Sequence, residues 1–145
     1  MERLTIKELA PYLPFKLQWK FEGSDEVHEV MGIDITDFGV HLFSPYGDYG
    51  KCRINEGKPL LRPLSFLTEE IEHNGERFVP INNLKHLYGW DYLWYEVLGE
   101  ITNFNVNKIK YACLKLLLEW HFDVFGLIDR NLALPIDGKE VEGCR

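Results

Sequence analysis

Residues 108–134, KIKYACLKLLLEWHFDVFGLIDRNLAL, form the longest apolar stretch of the chain. Ile109, Ala112, Cys113, Leu116, Leu117 and Trp120 fall on one stripe at helical spacing. Leu114, Leu118 and Phe122 occupy the other faces, and a helix that is apolar on most sides is a buried one. The spacing predicts a buried C-terminal helix at about 108–122, with everything before it assembled around it. Its helical pattern runs on to a marked stop. Asn131 takes the left-handed conformation readily, Leu132 can reach back towards Leu127, and Pro135 forbids continuation.

The first residues announce a short N-terminal helix. Thr5 and Glu8 have the spacing of a capping box, and Leu4 and Leu9 sit at its hydrophobic staple. Pro11 and Pro14 confine the helix to one or two turns over 6–10. The period then changes to two. Phe15, Leu17, Trp19 and Phe21 alternate with Lys16, Gln18 and Lys20, the pattern of a half-buried strand. Turn chemistry at 22–25, 36–39, 44–48 and 55–58 separates further strands at 27–35, 40–43, 49–54 and 60–61. Gly32 marks a candidate bulge in the second of them. Short strands in succession predict a small antiparallel meander or an SH3-like barrel.

Ser65 is placed to cap a short helix over 63–71. Asn74-Gly75 is a strong hairpin signal, because both central residues of a type I′ turn need positive φ. A β-hairpin is therefore expected over 70–80, followed by a helical turn over 84–88 capped by Asn82 or Asn83. Trp90, Leu93, Trp94, Val97, Leu98 and Ile101 make a second helical stripe, although Tyr92-Leu93-Trp94-Tyr95 has strand propensity. The fold class is α+β. One compact domain is expected over 1–136, β-rich at 14–62 and helical at 84–134, with a flexible polar tail at 137–145.

Composition narrows the functional classes. An apolar content of 46% argues against disorder. A net charge of −7 argues against general nucleic-acid binding and is compatible with a basic partner. Cys52, Cys113 and Cys144 have neither disulfide-framework nor zinc spacing, which fits a reducing compartment. The N-terminus lacks the pattern of a signal peptide, and no apolar run approaches the roughly 20 residues that span a bilayer.

No catalytic motif emerges. His28, His41, His73, His86 and His121 show no metal-ligand spacing, so neither metal nor cofactor is expected. A Cys52–His41 dyad is conceivable if their strands pair; half-buried strand residues are the simpler reading. Glu119 and Asp123 share a helix face and could couple as a carboxylate pair, while lining the wet edge of a buried helix explains them as well. His121 and Asp123, two apart on a helix, diverge.

Two surfaces stand out. Trp90, Tyr92, Trp94 and Tyr95 form an aromatic cluster suited to anchoring a partner protein, or to packing inside. Lys51, Arg53, Lys58 and Arg62 form a basic patch opposed only by Glu56. That patch could hold single-stranded RNA, with Tyr46 and Tyr49 to stack bases, or could simply blunt an edge strand with charge.

Four pieces carry a resemblance: ELAPYLP at 8–14, KPLLRPLSFLT at 58–68, IEHNGERFVPI at 71–81 and KLLLEWHFDVFGLI at 115–128. In this order they resemble a family of small uncharacterised proteins encoded by phages, prophages and mobile elements of gut Bacteroidales. The resemblance covers both ends and the middle of the chain, and 89–107 least. It brings no activity and no site residues. It implies a bacterial cytoplasmic setting and an accessory role. The expectation is a non-enzymatic protein that binds an unidentified bacterial or phage protein, without membrane association. The alternatives are a counter-defence inhibitor that offers an acidic surface, in the manner of anti-CRISPR proteins, and an RNA-binding small barrel.

Overall fold

The computed structural model describes residues 3–36, 39–43, 49–88 and 111–136. It is α+β, with a short N-terminal helix, a mostly antiparallel sheet, a separate hairpin and a C-terminal helix. The first helix, α1 (Ile6–Leu9), starts where the capping box predicts. The Glu8 carboxylate accepts from the Thr5 amide at 3.2 Å and the Thr5 hydroxyl at 2.9 Å. The prolines do not end the helical path. They tighten it into a 3-10 helix over Ala10–Phe15, which Lys16 closes in the left-handed conformation. Phe15 thus belongs to this turn, and strand β1 is Gln18–Phe21.

The sheet continues with β2 (Val27–Asp34), β3 (Gly39–Phe43), β4 (Tyr49–Arg53) and β5 (Gly57–Leu61). A two-residue strand β8, Leu134–Pro135, adds to it near the end of the chain. The strand order is β4-β3-β2-β1-β5-β8, antiparallel except that β8 runs parallel to β5. The pairing of β2 with β3 slips between Val30 and Gly32, so Met31 bulges beside the predicted glycine.

The sheet is open, yet the order forces it to curl. In a flat sheet β4 and β5 would lie four strand spacings, about 19 Å, apart. The chain from Arg53 to Gly57 reaches at most about 14 Å. It is shorter still here, because the Glu56 amide bonds the Arg53 carbonyl at 3.0 Å. The expected meander is therefore present as β1 to β4, curled towards a barrel but not closed into one.

The region after the sheet corrects two expected helix boundaries and keeps the expected hairpin. The helical stretch after Pro63 is a 3-10 helix at Leu64–Thr68, and Ser65 lies inside it rather than at its cap. The hairpin pairs β6 (Ile71–His73) with β7 (Glu76–Phe78), and Asn74 and Gly75 have φ of 51° and 81°, as a type I′ turn demands. The next helix, α2, spans Pro80–Tyr88 and opens on the proline rather than after Asn82 or Asn83. A proline at the first helical position has no amide to lose.

Helix α3 covers Tyr111–Glu119, stops short of the expected 122 and is buried on one face only, at Cys113, Leu117 and Leu118, while Tyr111, Ala112 and Lys115 are exposed. It ends in a Schellman motif. His121 is left-handed at φ 61°, its amide bonds the Leu118 carbonyl, and the Phe122 amide reaches the Leu117 carbonyl. A second motif of the same kind follows at the predicted stop. Asn131 has φ 60°, and the Leu132 amide reaches the Leu127 carbonyl at 2.8 Å. Two reversals within a dozen residues wrap this segment around the core instead of extending it as helix.

One core cluster joins Leu4 to Ala133, with Leu9, Tyr12, Leu17, Trp19, Leu61, Leu84, Leu117 and Phe122 fully or almost fully buried. A smaller cluster, Val27, Leu60 and Ile136, shows that the sheet is partly covered on its second face too. Among the described residues no helix is long and apolar enough to cross a membrane.

Candidate functional site

The four residues of the predicted basic patch separate into three places. Arg62 is the correction. It is 1% exposed and belongs to the core, not to the surface. Its Nε donates to the Trp120 carbonyl and its Nη2 to the Glu72 carbonyl, both at 2.9 Å. Nη2 also meets Nδ1 of His73 at 3.3 Å. A guanidinium has donors only, so Nδ1 accepts and the His73 ring carries its hydrogen on Nε2. That ring also bonds the Glu119 carbonyl.

His121 completes the cluster. Its Nε2 bonds the Phe15 carbonyl at 2.6 Å, so the hydrogen sits there, and its ring meets His73 edge-on with centroids 5.1 Å apart. Burial pushes both rings down to about 4, with the Arg62 charge adding to it. Both are neutral at neutral pH, buried and already bonded. The cluster fastens the hairpin, the end of β5, the end of α3 and the first 3-10 helix to one another. Among the described residues no group of His, Cys, Asp or Glu is arranged to hold a metal ion.

Lys58 lies on β5, opposite Lys20 of β1, and its Nζ donates to the Asn131 side chain at 3.0 Å. It borders a small hollow of about 410 Å³. Lys51 and Arg53 are both exposed on the edge strand β4 and stand at a different place. They line an open groove of about 1010 Å³ between the β4–β5 turn and the start of α1.

That groove brings in two residues the sequence reading did not single out, Arg3 and Lys7. Arg3 and Lys7 flank the Thr5–Glu8 cap of α1, and both are exposed. No spacing signals that this segment packs beside β4, forty residues later. The floor is apolar: Leu4 and Cys52 are buried, and Ile6 and Ile54 are half-buried.

The charges around this floor are unbalanced. Lys51 pairs with Asp34 at 3.2 Å. The Thr36 side chain and Lys51 hold the Asp34 carboxyl well below the usual carboxylate range. Glu56 accepts from the Arg53 amide at 3.2 Å. Among the described residues, Arg3, Lys7 and Arg53 have no carboxylate at ion-pair distance. In a chain of net charge −7, a groove with an excess of positive charge is a local reversal of sign.

The conceivable catalytic pairs come apart. Cys52 faces Val40 across the β3–β4 ladder, whereas His41 faces Lys51. Successive strand residues point to opposite faces, so thiol and imidazole are on different sides of the sheet. Burial and the Glu56 charge push the Cys52 thiol up to about 11, far from a reactive thiolate. Glu119 and Asp123 do not share a helix face, since α3 ends between them. The Asp123 carboxylate instead accepts from the amides of Leu127 and Ile128, at 2.8 and 2.9 Å. Burial raises its pKa, and these two bonds oppose the rise.

Trp90, Tyr92, Trp94 and Tyr95 lie outside the described residues, as do Tyr46 and His86's side chain. Comparison with protein-family models, with curated proteins and with solved structures finds no match for this chain.

Proposed function

We propose that this protein acts by binding another protein, without catalysing a reaction, and that the groove between α1 and the β4–β5 turn is a binding surface. One observation carries the reading: Arg3, Lys7, Lys51 and Arg53 gather around an apolar floor in an acidic chain. Apolar floor and charged rim are the anatomy of a protein interface. The groups in the groove suit binding better than chemistry, because its thiol is held protonated and Glu56 is engaged by the Arg53 amide. The resemblance to accessory proteins of phages and mobile elements supplies the setting of this proposal.

RNA binding is the second reading, favoured by the same cations. Its weakness is the lining. No aromatic side chain is among the described groove residues, and sequence-tolerant binding of single strands depends on aromatic stacking.

Site-specific photocrosslinking separates the two. A photoreactive residue replaces Arg53 in one variant and Lys115, outside the groove, in another. Irradiation in bacterial extract is expected to give adducts at 53 that protease digests and nuclease leaves intact. They should be absent at 115. Nuclease-sensitive adducts would transfer the function to RNA. No adduct at 53 beyond that at 115 would remove the groove as the binding surface.

A further inference from the structure

The lining of the groove also constrains what occupies it. Resting on the protein-binding reading, we propose that the occupant is an acidic peptide segment with apolar residues interspersed among its carboxylates.

The carboxylates beside the groove already have partners. Asp34 is spent on Lys51 and on the Thr36 side chain, and Glu56 on the Arg53 amide. Among the described residues four cations, Arg3, Lys7, Lys51 and Arg53, line the groove against the one carboxylate of Glu56, so positive charge stays in excess. Arg3 and Lys7 supply positive charge from one wall, and Arg53 supplies it from the other. A segment bearing carboxylates at intervals meets cations on both sides, and two of them are guanidiniums, which bind carboxylates through paired donors.

Between these walls the chemistry changes. Leu4, Ile6, Cys52 and Ile54 offer apolar surface, and the high pKa of the thiol keeps Cys52 uncharged. A uniformly charged chain would leave this floor unused. Interspersed valine- or leucine-sized side chains cover it and add the area-dependent part of the affinity.

The position of the groove fits a peptide as well. It lies beside β4, the outermost strand of the sheet order, and strand edges receive extended segments. A nucleic acid fits less well for two reasons. The described lining offers no aromatic face for a base. The net charge of −7 opposes the approach of a densely charged strand more than that of a peptide with a few carboxylates.

The test uses the full chain and fluorescein-labelled probes read by anisotropy. The probes are ten-residue peptides alternating Glu with Val, Gln with Val, and Glu with Gly, together with a ten-nucleotide oligouridylate. The Glu/Val peptide is expected to bind at low salt. Affinity should fall about tenfold or more in 0.5 M salt, as screening weakens exposed charge pairs. Charge reversal at Arg3→Glu together with Arg53→Glu should weaken binding about tenfold or more, with far-UV circular dichroism unchanged. Lys115→Glu should leave it intact. The Gln/Val and Glu/Gly peptides should each bind about tenfold more weakly, through loss of charge and of apolar contact respectively.

Absence of Glu/Val binding to the folded protein overturns the inference. So does binding that ignores the double reversal, that matches the Gln/Val or Glu/Gly peptide, or that is surpassed by the oligouridylate. Protease-sensitive crosslinks at position 53 without Glu/Val binding would sink the acidic occupant alone. Loss of both would sink the groove reading with it.

Discussion

The Arg62 guanidinium donates to Nδ1 of His73 at 3.3 Å, and this contact makes a neutral imidazole the partner of a buried cation. His121 lies edge-on to the same ring. The three side chains come from the end of β5, from β6 and from the residue that reverses the chain after α3. The Arg62 backbone is bonded as well, its amide to the His121 carbonyl at 2.7 Å and its carbonyl to the Asp123 amide at 2.8 Å. The cluster thus locks four segments, and it works only while both rings are uncharged.

The first prediction is acid lability with a defined slope. His73 and His121 are held at about 4 in the folded chain, against 6.5 for a free ring. A depressed histidine pKa means that the unfolded chain binds more protons between these values. The stability is therefore fully present above pH 6.5 and falls as the pH drops towards 4. Each ring contributes a slope of about 1.4 kcal/mol per pH unit in that window, and a loss of roughly 3 kcal/mol below it. Denaturant unfolding at half-unit pH steps measures this. His73→Asn keeps an acceptor for Arg62 and removes one titrating ring, so its slope should be about 1.4 kcal/mol per pH unit shallower. An unchanged slope would mean that His73 does not titrate on unfolding.

The second prediction concerns Asp123. Its two carboxylate oxygens hold the amides of Leu127 and Ile128 and so shape the loop that leads to the Asn131 reversal. Asp123→Ala leaves two amides without their acceptors and should cost about 2–4 kcal/mol. Asp123→Asn should cost less. It keeps one carbonyl acceptor, and it removes a charge whose burial raises the Asp123 pKa. Thermal or denaturant unfolding of both variants at neutral pH decides. An asparagine variant no more stable than the alanine variant contradicts this account.

Such roles were unevenly legible in the sequence. Thr5 with Glu8, Asn74 with Gly75, and Asn131 before Pro135 were readable because each depends on backbone geometry that a few adjacent residues settle. Trp19 was readable as a core residue from the alternation around it, and it is fully buried. Arg62 was misplaced because a basic residue four positions from Lys58 looks like the rest of a patch. Its flanks, Leu60-Leu61 and Pro63-Leu64, were the available signal that it sits within buried chain. His121 was misplaced because helical periodicity continued through it. A non-glycine residue in the left-handed region is uncommon, and the contacts that hold His121 there, to Phe15, Arg62 and His73, are long-range. The groove was half legible. Lys51 and Arg53 share a strand, but Arg3 and Lys7 join them through tertiary packing alone.

The third prediction tests the curled sheet where β5 begins. Gly57 pairs with Phe21 of β1, and the Trp19 indole lies against its backbone. A Cβ on Gly57 would stand 2.4 Å from Trp19 Nε1 and 2.5 Å from the Lys20 carbonyl oxygen. Two obstacles of different kinds meet there. The indole belongs to a fully buried side chain in the main core, and the carbonyl belongs to the neighbouring strand. Neither is the free end of a flexible side chain, so relief requires moving the core tryptophan and parting β1 from β5. Gly57→Ala should destabilise the fold by about 1–3 kcal/mol, the usual cost of overpacking. Since β5 begins at the end of the β4–β5 turn that forms one wall of the groove, the same variant should shift the tryptophan fluorescence and weaken Glu/Val peptide binding together. Gly57→Ala combined with Trp19→Phe should recover part of the loss by removing the indole nitrogen that meets the new methyl group, although the Lys20 carbonyl remains. Denaturant unfolding of the single and double variants measures the coupling. Strict additivity between them would show that Trp19 is not what keeps position 57 a glycine.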